Sequence, residues 1–232
     1  MRVGLLKTSL VDYPGRVAAV LFLPGCGMRC PYCHNPGLVE PGPGDLSDDL
    51  VPLVAAMDFL ERRRGVLTGV VLSGGEPTMH EDLPGLVASI RSLGYVVKLD
   101  TNGSSPDRIA QAGADYTAMD LKTDPDRYVE LWPGAPADAA HSIRRSVRAV
   151  RGSSAQYEFR ITCVPGFVGE RDAESIASLL EPGDPVFLQR YRPGRVLDRT
   201  WAAGVSPYDD ATMERLLTII REAAPKARIR GF

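Results

Sequence analysis

Six short apolar runs, separated by stretches with helical periodicity, constrain this chain more than any other feature. Residues 17–23, 66–72, 95–99, 116–119, 157–164 and 186–188 read as strands, because each is a brief β-branched or apolar run bounded by turn residues. Between them, helices are expected at 83–93, 107–112, 139–150, 172–180 and 209–223. The clearest helix is 48–64: Ser47 would cap it, Leu50, Leu53, Val54, Met57 and Leu60 share one face, and Gly65 would stop it. Continuous apolar strands alternating with helices imply parallel pairing through crossover helices. The expected fold class is therefore α/β, a partial (β/α)6 TIM-like barrel with a parallel sheet, in a single domain over residues 1–232. The Pro/Gly-rich segments 36–45 and 132–138 read as loops within it. Ligand sites in such folds lie at the carboxyl ends of the strands, so motifs found there carry extra weight.

Composition narrows the function classes. The 27 basic and 29 acidic residues leave a net charge of -2, so no overall field would draw the chain to nucleic acid or an anionic membrane. No apolar run approaches the ~20 residues needed to span a bilayer. The first ten residues, MRVGLLKTSL, lack a signal-peptide core, and a cytoplasmic location is expected. Three of the four cysteines fall within eight residues, a pattern that suits a metal better than a disulfide framework.

Those three are Cys26, Cys30 and Cys33, in a loop at residues 24–36 that follows the first strand. Its prolines and glycines oppose a helix, so the loop can wrap a compact object and bring three thiolates onto it. Three thiolates leave one iron of a cubane open for a further ligand. A structural zinc held by Cys26, Cys30, Cys33 and His34 is the alternative, although adjacent Cys33 and His34 would struggle to reach one ion. The CxxxCxxC spacing, with Tyr32 just before the third cysteine, resembles the signature of the radical S-adenosylmethionine (SAM) superfamily. That resemblance implies one [4Fe-4S] cluster held by Cys26, Cys30 and Cys33, SAM chelated to the open iron, and Tyr32 against the adenine.

Later strands end in polar residues with competing explanations. The second ends in Ser73, Gly74, Gly75, Glu76 and Pro77: either a tight turn, or glycines and a carboxylate arranged around an ammonium. GGEP after a CxxxCxxC strand resembles the superfamily's second motif. Asp100 and Thr101 precede an Asn-Gly pair that could be only a capped turn. Asp120 and Lys122 could be an exposed ion pair, and Arg160 a strand-edge residue on the strand that carries Thr162. Cys163 reads as a buried apolar residue without a cluster role.

The segment from Gly4 to Arg16, with its Asp-x-Pro-Gly turn ahead of CxxxCxxCHN, looks like the start of the glycyl-radical-enzyme activating proteins. The similarity is greatest to anaerobic ribonucleoside-triphosphate reductase activating proteins and extends to the pyruvate formate-lyase activases. It implies cofactor contacts from Gly74, Gly75 and Glu76 to the SAM amino group, and from Asp120, Lys122, Arg160 and Thr162 to its ribose and methionyl parts. It also implies a monovalent cation near Asp100, Thr101 and Asp120. Substrate contacts would fall to Asp12, Arg16 and Arg192, the last standing where pyruvate formate-lyase activases have a His. The implied partners are a glycyl radical enzyme, an anaerobic ribonucleotide reductase first of all, and flavodoxin or ferredoxin as reductant. Two other readings remain: a radical SAM enzyme acting on a nucleotide or pterin precursor, and a non-enzymatic iron-sulfur or zinc protein.

Overall fold

The computed structural model describes residues 1–39, 50–153 and 156–231. All its strands join one open sheet in the order β3-β1-β2-β4-β5-β6-β7-β8-β9. Its centre is the expected six-stranded parallel ladder: β2 (Ala18–Leu23), β4 (Gly69–Gly74), β5 (Val96–Thr101), β6 (Tyr116–Asp120), β7 (Gln156–Cys163) and β8 (Val186–Arg190). Helices α2 (Leu53–Arg62), α3 (Leu83–Ser92), α4 (Pro106–Gln111), α5 (Ala139–Ser153) and α6 (Glu170–Ala177) connect successive strands of that ladder. Beyond it, α7 (Arg199–Ala203) and α8 (Asp210–Ala223) lead to the short parallel strand β9 (Arg228–Ile229).

Burial explains why the helices lie on one face. Alternate residues of β4 and β5, such as Val70, Leu72, Val97 and Leu99, pack with Leu60, Leu86 and Ile90 of α2 and α3. Phe159, Ile161, Cys163 and Leu188 do the same against α5, α6 and α8. The opposite, concave face carries a small apolar cluster including Val20, Val71 and Ala118, and above it a band of charged side chains. Cys163 is fully buried on the helix side, as expected.

Several local expectations are corrected. Residues 2–9 form a strand, β1 (Arg2–Ser9), antiparallel to β2, and β3 (Val51–Pro52) pairs with it. The helix expected from residue 48 starts at Leu53, after a proline whose fixed φ suits a helix start, and Val54 is 67% exposed rather than on the buried face. The expected cap Ser47 lies outside the described residues. The strand expected from Val66 begins only at Gly69, because Gly65 turns the chain through φ +79° and leaves Val66 exposed. Within the expected loop 36–45, α1 (Pro36–Val39) forms one helical turn, and the rest of that segment is outside the described residues.

Candidate active site

The cysteine loop leaves the carboxyl end of β2 and is pinned from several sides. The Gly25 N–H donates to Leu38 O at 2.7 Å and the Arg29 N–H to Leu131 O at 2.7 Å. The Leu197 and Asp198 N–H groups donate to Cys33 O and Pro31 O, each at 3.0 Å. So held, Cys26, Cys30 and Cys33 line one cavity of about 230 Å³. Burial pushes the Cys26 thiol up to about 11 and raises Cys30 as well, so seating a metal cluster there must release protons. The donor set fits a cluster with one open iron: Cys163 faces the helices, and the His34 ring stacks on Tyr191 at 6.4 Å. Tyr32 lines the cavity, but its ring already packs on Phe167 at 5.4 Å and Trp201 at 6.1 Å.

At the end of β4 the two glycines are required by the neighbouring loop. A Cβ on Gly75 would sit 2.1 Å from Gly25 O, and one on Gly74, with φ +117°, would sit 2.5 Å from Leu23 N. Glu76 departs from the expectation that its carboxylate awaits an ammonium. It is wholly buried, and its two oxygens already accept four bonds: from the Thr78 N–H at 3.1 Å and hydroxyl at 2.5 Å, the Thr101 hydroxyl at 2.8 Å and the Asn102 N–H at 2.7 Å. Burial raises its pKa against those bonds. Its side chain clamps the end of β4 to the end of β5, and Gly74, Gly75 and Glu76 line the cavity beside that clamp.

The ends of β5, β6 and β7 present charges of alternating sign. Lys98 Nζ lies 2.5 Å from Asp100, whose carboxylate also receives Arg160 Nη1 at 3.3 Å. Arg160 Nε donates to Asp120 at 2.7 Å, and Lys122 Nζ lies 3.4 Å from the other Asp120 oxygen. Parallel registration puts Asp120 opposite Arg160, which makes the row possible. Burial alone would raise the Asp120 carboxyl, but Arg160 and Lys122 hold it below its ordinary value. Burial likewise opposes the Lys122 charge, yet the Asp120 carboxylate beside it raises its pKa above the ordinary value. With side chains 29% and 18% exposed, Asp120 and Lys122 can still meet a ligand's hydroxyls and carboxylate.

Of the residues expected around a cation, Asp100, Thr101 and Asp120 all line the cavity; the Lys98 ammonium stands on Asp100, and the Thr101 hydroxyl donates to Glu76. The remaining expected residues divide. Thr162 joins the cavity wall, whereas Arg192 lines an adjoining cleft. Asp12 and Arg16 stand at the opposite end of the sheet, because β1 runs antiparallel with Ser9 beside Ala18, and Asp12 is held there by the Ser9 hydroxyl. Two residues that bear on the site were not singled out from the sequence: Lys98, buried behind the cavity on Asp100, and Asn102, read only as half of a turn. Asn102 is 6% exposed; its Oδ1 accepts from the Ser104 N–H at 2.9 Å, which aims Nδ2 at Cys26 Sγ, 3.6 Å away.

A family model described as the radical SAM superfamily matches residues 20–179, and the chain belongs to that family. It is thus an enzyme whose family implies a [4Fe-4S] cluster and SAM. A Methanocaldococcus jannaschii protein named for glycyl-radical enzyme activation is 30% identical over 219 residues, covering 91% of this chain and 88% of its own. Pyruvate formate-lyase-activating enzyme of Staphylococcus aureus is 30% identical over 177 residues, 70% of this chain and 67% of its own. Among solved structures, a radical SAM methyltransferase from Sphaerobacter thermophilus superposes with TM-score 0.64 at 20% identity, over 96% of this chain and 68% of that one. TYW1 with a lysine-pyruvate adduct superposes with TM-score 0.63 at 17% identity, over 89% and 74%. These two share the fold.

Proposed function

We propose that this chain cleaves SAM reductively and uses the resulting radical to remove the α-hydrogen of a glycine on a partner enzyme, first among candidates an anaerobic ribonucleoside-triphosphate reductase. The observation that carries the reading is the meeting, on one cavity, of three loop thiols with the Asp120, Lys122 and Arg160 charges. When bound, the cluster supplies one electron, delivered by flavodoxin or ferredoxin, that breaks a carbon-sulfur bond of the sulfonium and yields methionine and a 5'-deoxyadenosyl radical. The protein's own work is holding and shielding. Cys26, Cys30 and Cys33 ligate three irons, and the peptide groups of Gly74 to Glu76 accept from the SAM ammonium. Lys122 takes the methionyl carboxylate, and Asp120, oriented by Arg160, accepts from ribose hydroxyls. Tyr32, braced by Phe167 and Trp201, offers an apolar wall to the adenine. A glycine is a fitting target because it has no side chain to obstruct the approach of its α-hydrogen.

A relative named for glycyl-radical enzyme activation and one named for pyruvate formate-lyase activation, each matching at least 70% of this chain, support the partner class. The test is electron paramagnetic resonance of the reduced, reconstituted protein with SAM and a co-expressed anaerobic reductase. A glycyl doublet is expected. Cleavage of SAM without that doublet would remove the activase role and retain the family chemistry.

A further inference from the structure

Past Thr162 and His34 the cofactor cavity adjoins a second cleft of about 560 Å³. Its fixed charges are all positive: Arg190, Arg192 and Arg230 line it, and among the described residues no carboxylate does. Two of these cations carry their own carboxylates from outside the lining, Glu158 on Arg230 and Asp210 on Arg190, so the uncompensated charge is that of Arg192.

The three guanidinium groups differ in how they are held. Arg230 forms a two-pronged pair with Glu158 at 3.0 and 2.6 Å, and it lies over the Phe187 ring at 3.6 Å. Glu158 is 1% exposed, so this guanidinium is fixed on a buried anchor. Arg190 pairs with Asp210, whose side chain is 92% exposed, and such a solvated pair contributes little. Arg192 is exposed and has no acidic partner among the described residues. Arg192 thus brings to the cleft the one guanidinium that no carboxylate among the described residues compensates.

The wall that bears Arg192 is tied to the cysteine loop. His34 stacks on Tyr191, a Cβ on Gly194 would touch the His34 ring at 3.7 Å, and the bonds from Leu197 and Asp198 to Cys33 and Pro31 close the connection. The backbone that carries Arg192 is therefore anchored to the loop that carries the three thiols.

We infer that this cleft binds an oxyanion carried by the substrate, a carboxylate or a phosphate, with Arg192 and Arg230 as donors, and so presents the atom to be attacked to the cofactor cavity. The inference rests on the proposed function, under which the oxyanion is an acidic side chain close to the reacting glycine.

The test uses the reconstituted holoprotein with SAM, without air, in isothermal titration calorimetry. One arm compares acetyl-Ala-Gly-Ala-Glu-amide with its Gln counterpart, and the other compares cytidine monophosphate with cytidine. The charged member of at least one pair is expected to bind at least about fivefold more tightly, with the preference shrinking as salt rises and vanishing in Arg192→Gln. Discrimination in the nucleotide arm alone supports the oxyanion site while removing the protein-partner reading. Equal binding within both pairs overturns the inference. So does an Arg192→Gln protein whose SAM dissociation constant rises in the absence of any probe, since the cleft would then belong to the cofactor.

Discussion

Two corners of the sheet present a carboxylate at a strand end, and they use it in opposite ways. At the β4–β5 corner Glu76 is sealed from solvent, accepts four bonds from uncharged donors, and has its pKa raised by burial. At the β6–β7 corner Asp120 stays partly open between Arg160 and Lys122, which hold its pKa down despite burial. The first corner builds the cavity and the second meets what enters it. A carboxylate at the end of a parallel strand therefore says little about its role until its other partners are counted.

The widest separation between the corners is expected in stability. Glu76→Ala strands the buried Thr78 and Asn102 N–H groups and should cost about 2–4 kcal/mol, read as a lower urea midpoint with an unchanged slope. Asp120→Asn keeps the shape and leaves Arg160 paired with Asp100, so its midpoint should move far less, while SAM affinity falls in calorimetry. A SAM affinity that depends more on Glu76 than on Asp120 in folded protein would erase the distinction.

Proton linkage offers a second, smaller contrast. Glu76, with a folded pKa above the unfolded value of about 4.3, contributes stability that is fully present below that value and is lost as pH rises through the folded pKa. Asp120, with a folded pKa below the unfolded value of about 3.9, contributes stability present above it and lost as pH falls through the folded pKa. Urea midpoints measured from about pH 3 to 7 should show Glu76→Gln flattening the decline on the less acidic side and Asp120→Asn flattening it on the acid side. Identical profiles for the two variants would mean that the corners are electrostatically alike.

The sequence made the parallel ladder legible because strands buried by helices must be apolar, and such runs are visible one at a time. It hid β1, which only the two-residue β3 covers on its outer side, leaving Leu6 42% exposed and breaking the alternation that identifies a strand. The thiol loop was legible for a related reason, since its ligands are adjacent in the chain. The Lys98–Asp100–Arg160–Asp120–Lys122 row was not, because it exists only once registration sets residues from three strands side by side. Glu76 was assigned a ligand when its true partners, Thr101 and Asn102, lie 25 and 26 positions away. Asp12 and Arg16 lie at the far end of the sheet from the cavity, a placement set by the direction of β1, which the sequence did not reveal.

The sealed corner still touches the cofactor side through one residue, and there the smallest effect is expected. Asn102 gives its N–H to Glu76 and aims its side-chain amide at Cys26 Sγ. A neutral donor stabilises a thiolate more as negative charge builds on it, so the bond should ease reduction of a cluster held by Cys26. A net hydrogen bond of about 0.5–1.5 kcal/mol corresponds, for one electron, to roughly 20–60 mV. Asn102→Ala should lower the midpoint potential within or below that range, and Asn102→Asp, placing a carboxylate beside the same sulfur, should lower it further. Redox titration followed by electron paramagnetic resonance reads both, with iron and sulfide content showing that the cluster is retained. If neither variant moves the potential, the amide serves only the turn, and the two corners are electrically separate.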